Sequence, residues 1–137
     1  MDLARLRFLH AQACWHQVAE VDGVVAAFLL VFRDGANYPN SNFEWFAARY
    51  PRFLYVDRVV VDADSHGRGL GAQLYRELFD HARASGAPVV TCEFNVVPPN
   101  IGSAAFHARL GFQEVGRQWL DEGRKQVSMQ AASVAGC

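Results

Sequence analysis

An α/β (α+β) domain, with a mixed central sheet flanked by helices, is the fold this sequence predicts, and three observations predict it. Phe53 to Val61 is almost continuously apolar, as a strand covered on both faces must be. Leu70, Leu74, Leu78 and Ala82 recur at i, i+4 and form the buried stripe of an amphipathic helix. A second apolar strand, Val89 to Val96, follows after Gly86-Ala87-Pro88. Strand, helix and parallel strand in succession make a crossover unit.

The other elements follow in order. Leu3, Leu6, Leu9, His10 and Ala13 share one helical stripe, so Leu3 to Ala13 reads as a short amphipathic helix. Trp15 to Val21 and Val24 to Phe32 flank Asp22-Gly23, a tight hairpin signal. Arg33 to Ser41 holds Gly35, Asn37, Pro39 and Asn40 and reads as a loop, and Phe43 to Tyr50 as a short helix stopped before Pro51. Asn100 to Leu110 is a helix with Gly111 suited to the left-handed residue past its end and Phe112 returning to the core. Phe112 to Trp119 and Arg124 to Ala131 are strands joined by a turn at Asp121-Glu122-Gly123, and Val134 to Cys137 is a frayed tail. The order is ββ(α)βαβαββ.

A chain of 137 residues with 51% apolar, 12% aromatic and 20% charged residues has the composition of one soluble domain, taken here as 1–137, with a sizeable core. The formal net charge of −1, with no basic block, argues against nucleic acid and anionic membrane as partners. The apolar run from Val24 to Phe32 is too short to cross a bilayer, and Asp2, Arg5 and Arg7 interrupt any apolar leader, so a cytoplasmic protein is expected. Cys14, Cys92 and Cys137 are odd in number and irregularly spaced, which predicts reduced thiols and no metal site.

The chemistry-bearing segment lies between the central strand and the long helix: His66-Gly67-Arg68-Gly69-Leu70-Gly71-Ala72. Glycines let the backbone approach a ligand closely, and the first N–H groups of a helix lack internal partners, so the pattern predicts a pyrophosphate cradle. It is not a P-loop, because no Lys follows Gly71. It is not a dinucleotide fingerprint either, since the glycines alternate and the loop Asp62 to His66 separates them from the strand.

The spacing resembles the acyl-CoA signature of the GNAT superfamily of N-acyltransferases: Gln or Arg, two residues, Gly, one residue, then Gly or Ala. It falls on His66 to Gly71, with His66 in the first position. Asn100-Ile-Gly-Ser103-Ala-Ala-Phe-His107-Ala-Arg-Leu-Gly111-Phe112 is similar to the superfamily's later motif, with His107 where Tyr is usual. The resemblance runs from about Trp15 to Met129. It implies a GNAT-like mixed sheet with a shortened N-terminal region, since such domains usually carry more before the first hairpin.

The resemblance also implies direct attack of a primary amine, on a small molecule or a peptide, upon the thioester of acetyl-CoA as co-substrate. No metal is implied, and a homodimer is compatible with it. His66, Gly67, Arg68, Gly69, Leu70, Gly71 and Ala72 would hold the pyrophosphate. Backbone groups of Val59 and Val61 would pair with the pantetheine. Glu93 interrupts an apolar strand, where a charge is costly unless paired or used, and is the expected base, with Asp57 second. Period two places Tyr55, Asp57, Val59 and Val61 on one face and Arg58 on the other, so Asp57 and Arg58 would not neutralise one another. His107 is either the general acid, as a partly charged imidazole, or a neutral core residue. Asn100 either bonds the pantetheine or caps its helix. Asn37, Tyr38 and Asn42 are the expected acceptor contacts, beside an apolar wall formed by neighbouring aromatics. A CoA-binding module of little activity is the alternative, motivated by His66 and His107.

Overall fold

The computed structural model describes residues 15–21, 23–61, 69–97 and 99–134. The expected helix from Leu3 to Ala13, and with it Cys14, Asp22, His66, Gly67, Arg68 and Cys137, lie outside the described residues. The elements are β1 (Trp15–Val21), β2 (Val24–Arg33), α1 (Ser41–Ala47), β3 (Leu54–Val61), α2 (Leu70–Ser85), β4 (Val89–Val97), α3 (Ile101–Arg109), β5 (Gln113–Leu120) and β6 (Lys125–Ser133), with one turn of 3-10 helix, Asp121–Gly123, before β6. They form one six-stranded sheet in the order β1-β2-β3-β4-β6-β5. Every neighbouring pair is antiparallel except β3 and β4, which α2 joins in parallel.

The two faces carry two cores. Leu29, Val31, Leu54, Val56, Val90 and Cys92 pack against Leu74, Tyr75, Leu78 and Ala82 of α2, with Phe106 and Leu110 from the α3 side. On the other face Phe32, Tyr38, Phe53, Tyr55, Val127 and Met129 enclose Phe43 and Phe46 of α1. The i, i+4 stripe of α2 is thus the helix's buried face. That helix starts after Gly69, whose φ of +73° favours glycine, and stops at Gly86, with φ of +80°, whose N–H reaches Ala82 and Arg83. Asn40 sets the start of α1 by accepting hydrogen bonds from the N–H groups of Asn42 and Phe43.

Two irregularities shape the middle of the sheet. Pairing of β3 with β4 covers two positions, Leu54 with Val90 and Tyr55 with Thr91, after which the strands part. Facing β2, Val56 pairs with Val31 and Arg58 with Leu30, leaving Asp57 as an extra residue in a β-bulge. The bulge corrects the expected alternation: Tyr55 faces the α1 side, whereas Val59 and Val61, one step out of phase, face the α2 side. Asp57 and Arg58 are consequently neighbours, with Arg58 Nε 3.7 Å from Asp57 Oδ2.

Candidate active site

The parting of β3 and β4 opens the molecule to ligand on both sides of the bulge. A groove of about 820 Å³ runs between the start of α2 and α3, lined by Val59, Val61 and Gly69 to Ala72, with Ser103, Phe106, His107 and Arg109 opposite. Helix geometry leaves the first N–H groups of α2 unpaired along its axis and directs them to this end. Gly71 is required by packing: a Cβ there would stand 3.2 Å from Phe106 Cζ and 3.6 Å from Val61 Cγ2. A Cβ at Gly69 would meet nothing within 4 Å, so its glycine answers to backbone conformation and to whatever approaches from the groove. These features fit a bound pyrophosphate.

A second cavity, of about 340 Å³, occupies the cleft between the parted strands and is lined by Asp57, Arg58, Tyr75, Cys92, Glu93 and Asn95, among others. Val59, Ser103 and His107 line both spaces, so groove and cleft meet at these residues.

Glu93 is held in the cleft from one side only. Its Oε1 accepts from Tyr55 Oη at 2.9 Å and from Asn42 Nδ2 at 3.1 Å. Asn42 is fixed in turn by Gln118 Nε2, which donates to its Oδ1 at 2.9 Å. Glu93 Oε2 is buried and has no hydrogen-bond partner among the described residues. Burial pushes the carboxyl up to about 7; the Asp57 charge adds to the rise, while Tyr55, Asn42 and the Lys125 charge oppose it. The carboxyl therefore exchanges its proton near neutrality, and among the described residues no donor faces Oε2. Asp57, whose side chain is 8% exposed, accepts from Tyr38 Oη at 2.7 Å.

His107 is buried on α3. Its Nδ1 lies 2.8 Å from the Ser103 carbonyl, which can only accept, and this assigns the ring proton to Nδ1. Nε2 then carries the lone pair and accepts from Tyr75 Oη at 2.9 Å. Burial lowers the imidazole below its ordinary value and the Ser103 carbonyl partly offsets this. Of the two readings the sequence left open, a partly charged general acid or a neutral core residue, this burial and hydrogen bonding favour the neutral form of the ring.

Several expected contacts are placed differently. Tyr38 is in the core, stacked on Phe32 with ring centroids 4.0 Å apart, and its hydroxyl donates to Asp57. Asn42 is 8% exposed and both ends of its amide are committed, to Glu93 and Gln118, so it braces the carboxylate. Asn37 is exposed on the loop before α1. Of the neighbouring aromatics, Phe43 and Phe46 are buried in the core beneath α1, with Trp45 and Tyr50 partly buried against it. Asn100 caps α3 by accepting from Ser103 N–H at 3.1 Å, and it lines the cleft. Sequence reasoning missed Tyr75 and Gln118. Tyr75 is hidden inside an apolar stripe and Gln118 on an edge strand, and neither position carries a local signal.

Among the described residues no cluster of His, Cys, Asp and Glu could hold a metal ion, and no helix is long and apolar enough to cross a membrane. A family model described as "Acetyltransferase (GNAT) family" matches residues 2–112. Glucosamine 6-phosphate N-acetyltransferase 1 of Oryza sativa is 42% identical over 69 residues, which are 50% of this chain and 39% of that protein. The chain spans less than half the length of the curated relatives it matches. Among solved structures, the ribosomal-protein-alanine N-acetyltransferase from Brucella melitensis superposes with a TM-score of 0.71 at 22% identity, covering 97% of this chain and 79% of the other. A streptothricin acetyltransferase from Bacillus anthracis, so described provisionally and solved in complex with acetyl coenzyme A, superposes with a TM-score of 0.67 at 15% identity, covering 86% and 61%. At these identities the structural likeness is one of fold.

Proposed function

The chain belongs to the GNAT family of acetyltransferases, and from that premise we propose that it is an acetyl-CoA-dependent N-acetyltransferase acting on a primary amine of a small molecule or peptide. One observation carries the reading: an unpartnered carboxylate oxygen, Glu93 Oε2, in a cleft that joins a glycine-lined groove at Val59, Ser103 and His107. The rice relative is named for an amino sugar phosphate and the Brucella neighbour for a protein alanine, and a cleft of about 340 Å³ is compatible with either kind of amine.

In this reading the start of α2 binds the pyrophosphate, the motif residues His66 and Arg68 assist by donating to it, and the backbone of Val59 and Val61 pairs with the pantetheine. Bound acetyl-CoA supplies an activated carbonyl and a sulfur leaving group. Glu93 Oε2 takes the ammonium proton of the acceptor, so that the freed amine nitrogen attacks. Tyr55 and Asn42 keep Oε1 occupied and thereby select Oε2 as the reactive atom. Asp57, fixed by Tyr38 on the opposite wall, favours the cationic form of the incoming amine.

Release of CoA thiol from acetyl-CoA, followed across a panel of amines, tests the reading. Amine-dependent release at a fixed acceptor supports it. Tight acetyl-CoA binding by calorimetry with no transfer to any amine would leave a CoA-binding module in its place.

A further inference from the structure

The geometry points to Tyr75 as the proton donor to the departing sulfur, with His107 behind it as the positioning residue that resupplies the proton. This rests on the acetyltransferase reading. Tyr75 comes from the buried face of α2 and is fully buried, yet it lines the cleft beside the junction where groove and cleft meet. A phenylalanine would fill the same apolar stripe. The hydroxyl is what needs explaining, because a polar pair in a dry interior is costly unless it is satisfied or used.

The hydroxyl is satisfied and aimed at the same time. It donates to His107 Nε2 at 2.9 Å, with the two rings edge to face and centroids 5.5 Å apart. The imidazole lines the junction itself, but it is packed among Phe94, Phe106 and Phe112, with centroids 5.7, 5.2 and 5.4 Å away, and both its nitrogens are engaged, Nδ1 by the Ser103 carbonyl and Nε2 by Tyr75, so it acts through the phenol. The titratable groups around the pair are Cys92 and Glu93 of β4. The Cys92 thiol, within hydrogen-bonding reach of Tyr75, is pushed up by burial and remains a thiol.

The proton balance closes. As the carbon–sulfur bond breaks, its electron pair goes to sulfur, and the Tyr75 Oη proton passes to that sulfur. The proton on Nε2 of a His107 that has been protonated from solvent passes to the Tyr75 oxygen, and His107 returns to its neutral state. A lone phenol would be a poor donor here, because burial raises Tyr75 well above its ordinary value, whereas a free thiol ionises near 8.5. The proton lost overall is that of an imidazolium more acidic than usual, so the transfer runs downhill.

Two measurements test this. In the acetyl-CoA-free protein, the His107 ring is titrated by NMR in the wild type and in Tyr75→Phe, which removes one oxygen and leaves the packing. Losing a donor to neutral Nε2 should raise the His107 pKa by about half a unit to one unit; an unmoved titration overturns the pairing. In turnover, Tyr75→Phe should lower kcat by roughly 10² with little change in the KM for acetyl-CoA. The double variant Tyr75→Phe/His107→Phe should be no worse than the worse single variant, since the two act as a unit. Losses that multiply, or a Tyr75→Phe enzyme within about twofold of wild type, overturn the relay while leaving the transferase reading intact. A wild-type protein that acetylates no amine ends the transferase reading and the relay with it.

Discussion

Glu93 has an asymmetry between its two oxygens, Oε1 accepting two hydrogen bonds and Oε2 none among the described residues. If Oε2 is the base, Glu93→Gln should lower turnover by roughly 10² to 10⁴ with acetyl-CoA affinity little changed, and the acidic limb of kcat/KM near pH 7 should disappear. Asp57→Asn is the comparison; a larger loss there would move the role to Asp57. The same residue carries a stability consequence. Its folded-state value near 7 lies above the unfolded value of about 4.3, so folding favours the protonated form. That contribution, about 4 kcal/mol, is complete below the unfolded value and is lost as pH rises through 7. Denaturant titrations should show wild-type stability falling between about pH 4 and 7, and a flatter profile for Glu93→Gln. Asn42→Ala removes one donor from Oε1 and strands Gln118, so the acidic limb should move upward, an effect read from the pH–rate profile. Glu93 was legible in the sequence because a charge stood in an apolar strand. The bond of Asn42 to Glu93 was not legible, because a contact 51 positions away leaves no trace in spacing.

Among the elements, α2 does most to join fold and ligand. One helix supplies the crossover, the stripe that covers the sheet, the glycine-lined start and the Tyr75 hydroxyl. Gly69→Val should abolish CoA binding in a folded protein, because the side chain intrudes on the groove and a β-branched residue resists a φ of +73°. Calorimetry of CoA binding beside a circular-dichroism melt separates the two effects. Gly71→Ala should act differently, by pressing Phe106 and loosening α3, and so should cost stability as well as affinity. The strands and helices were legible because their periodicities are strong. The bulge at Asp57 was not, since an extra residue in a half-apolar strand looks like continued alternation; only pairing with β2 reveals the change of phase. Likewise α1 begins at Ser41, two residues before the expected Phe43, because the Asn40 cap and not the apolar pattern sets its start.

At the scale of the whole molecule, the succession of elements and the two covered faces followed from the alternation of periods, whereas the order of strands in the sheet and the narrowness of the seam between β3 and β4 did not, because pairing is a property of two strands together. That seam has a further consequence. With pairing limited to Leu54–Val90 and Tyr55–Thr91, the β1-β2-β3 and β4-β6-β5 halves behave as two leaves joined at one end, and a molecule lodged between them contributes to cohesion as a missing rung would. Amides of β3 beyond Val56 and of β4 beyond Cys92 that face the seam should exchange with deuterium faster than those bonded within the β2–β3 and β4–β6 ladders, and acetyl-CoA should slow them selectively. The melting temperature should then climb with ligand concentration, by a stabilisation of about 2.7 kcal/mol at a hundredfold excess over Kd. A chain arranged in this way reports occupancy through its own durability, so its lifetime against a protease would depend on how much acetyl-CoA surrounds it.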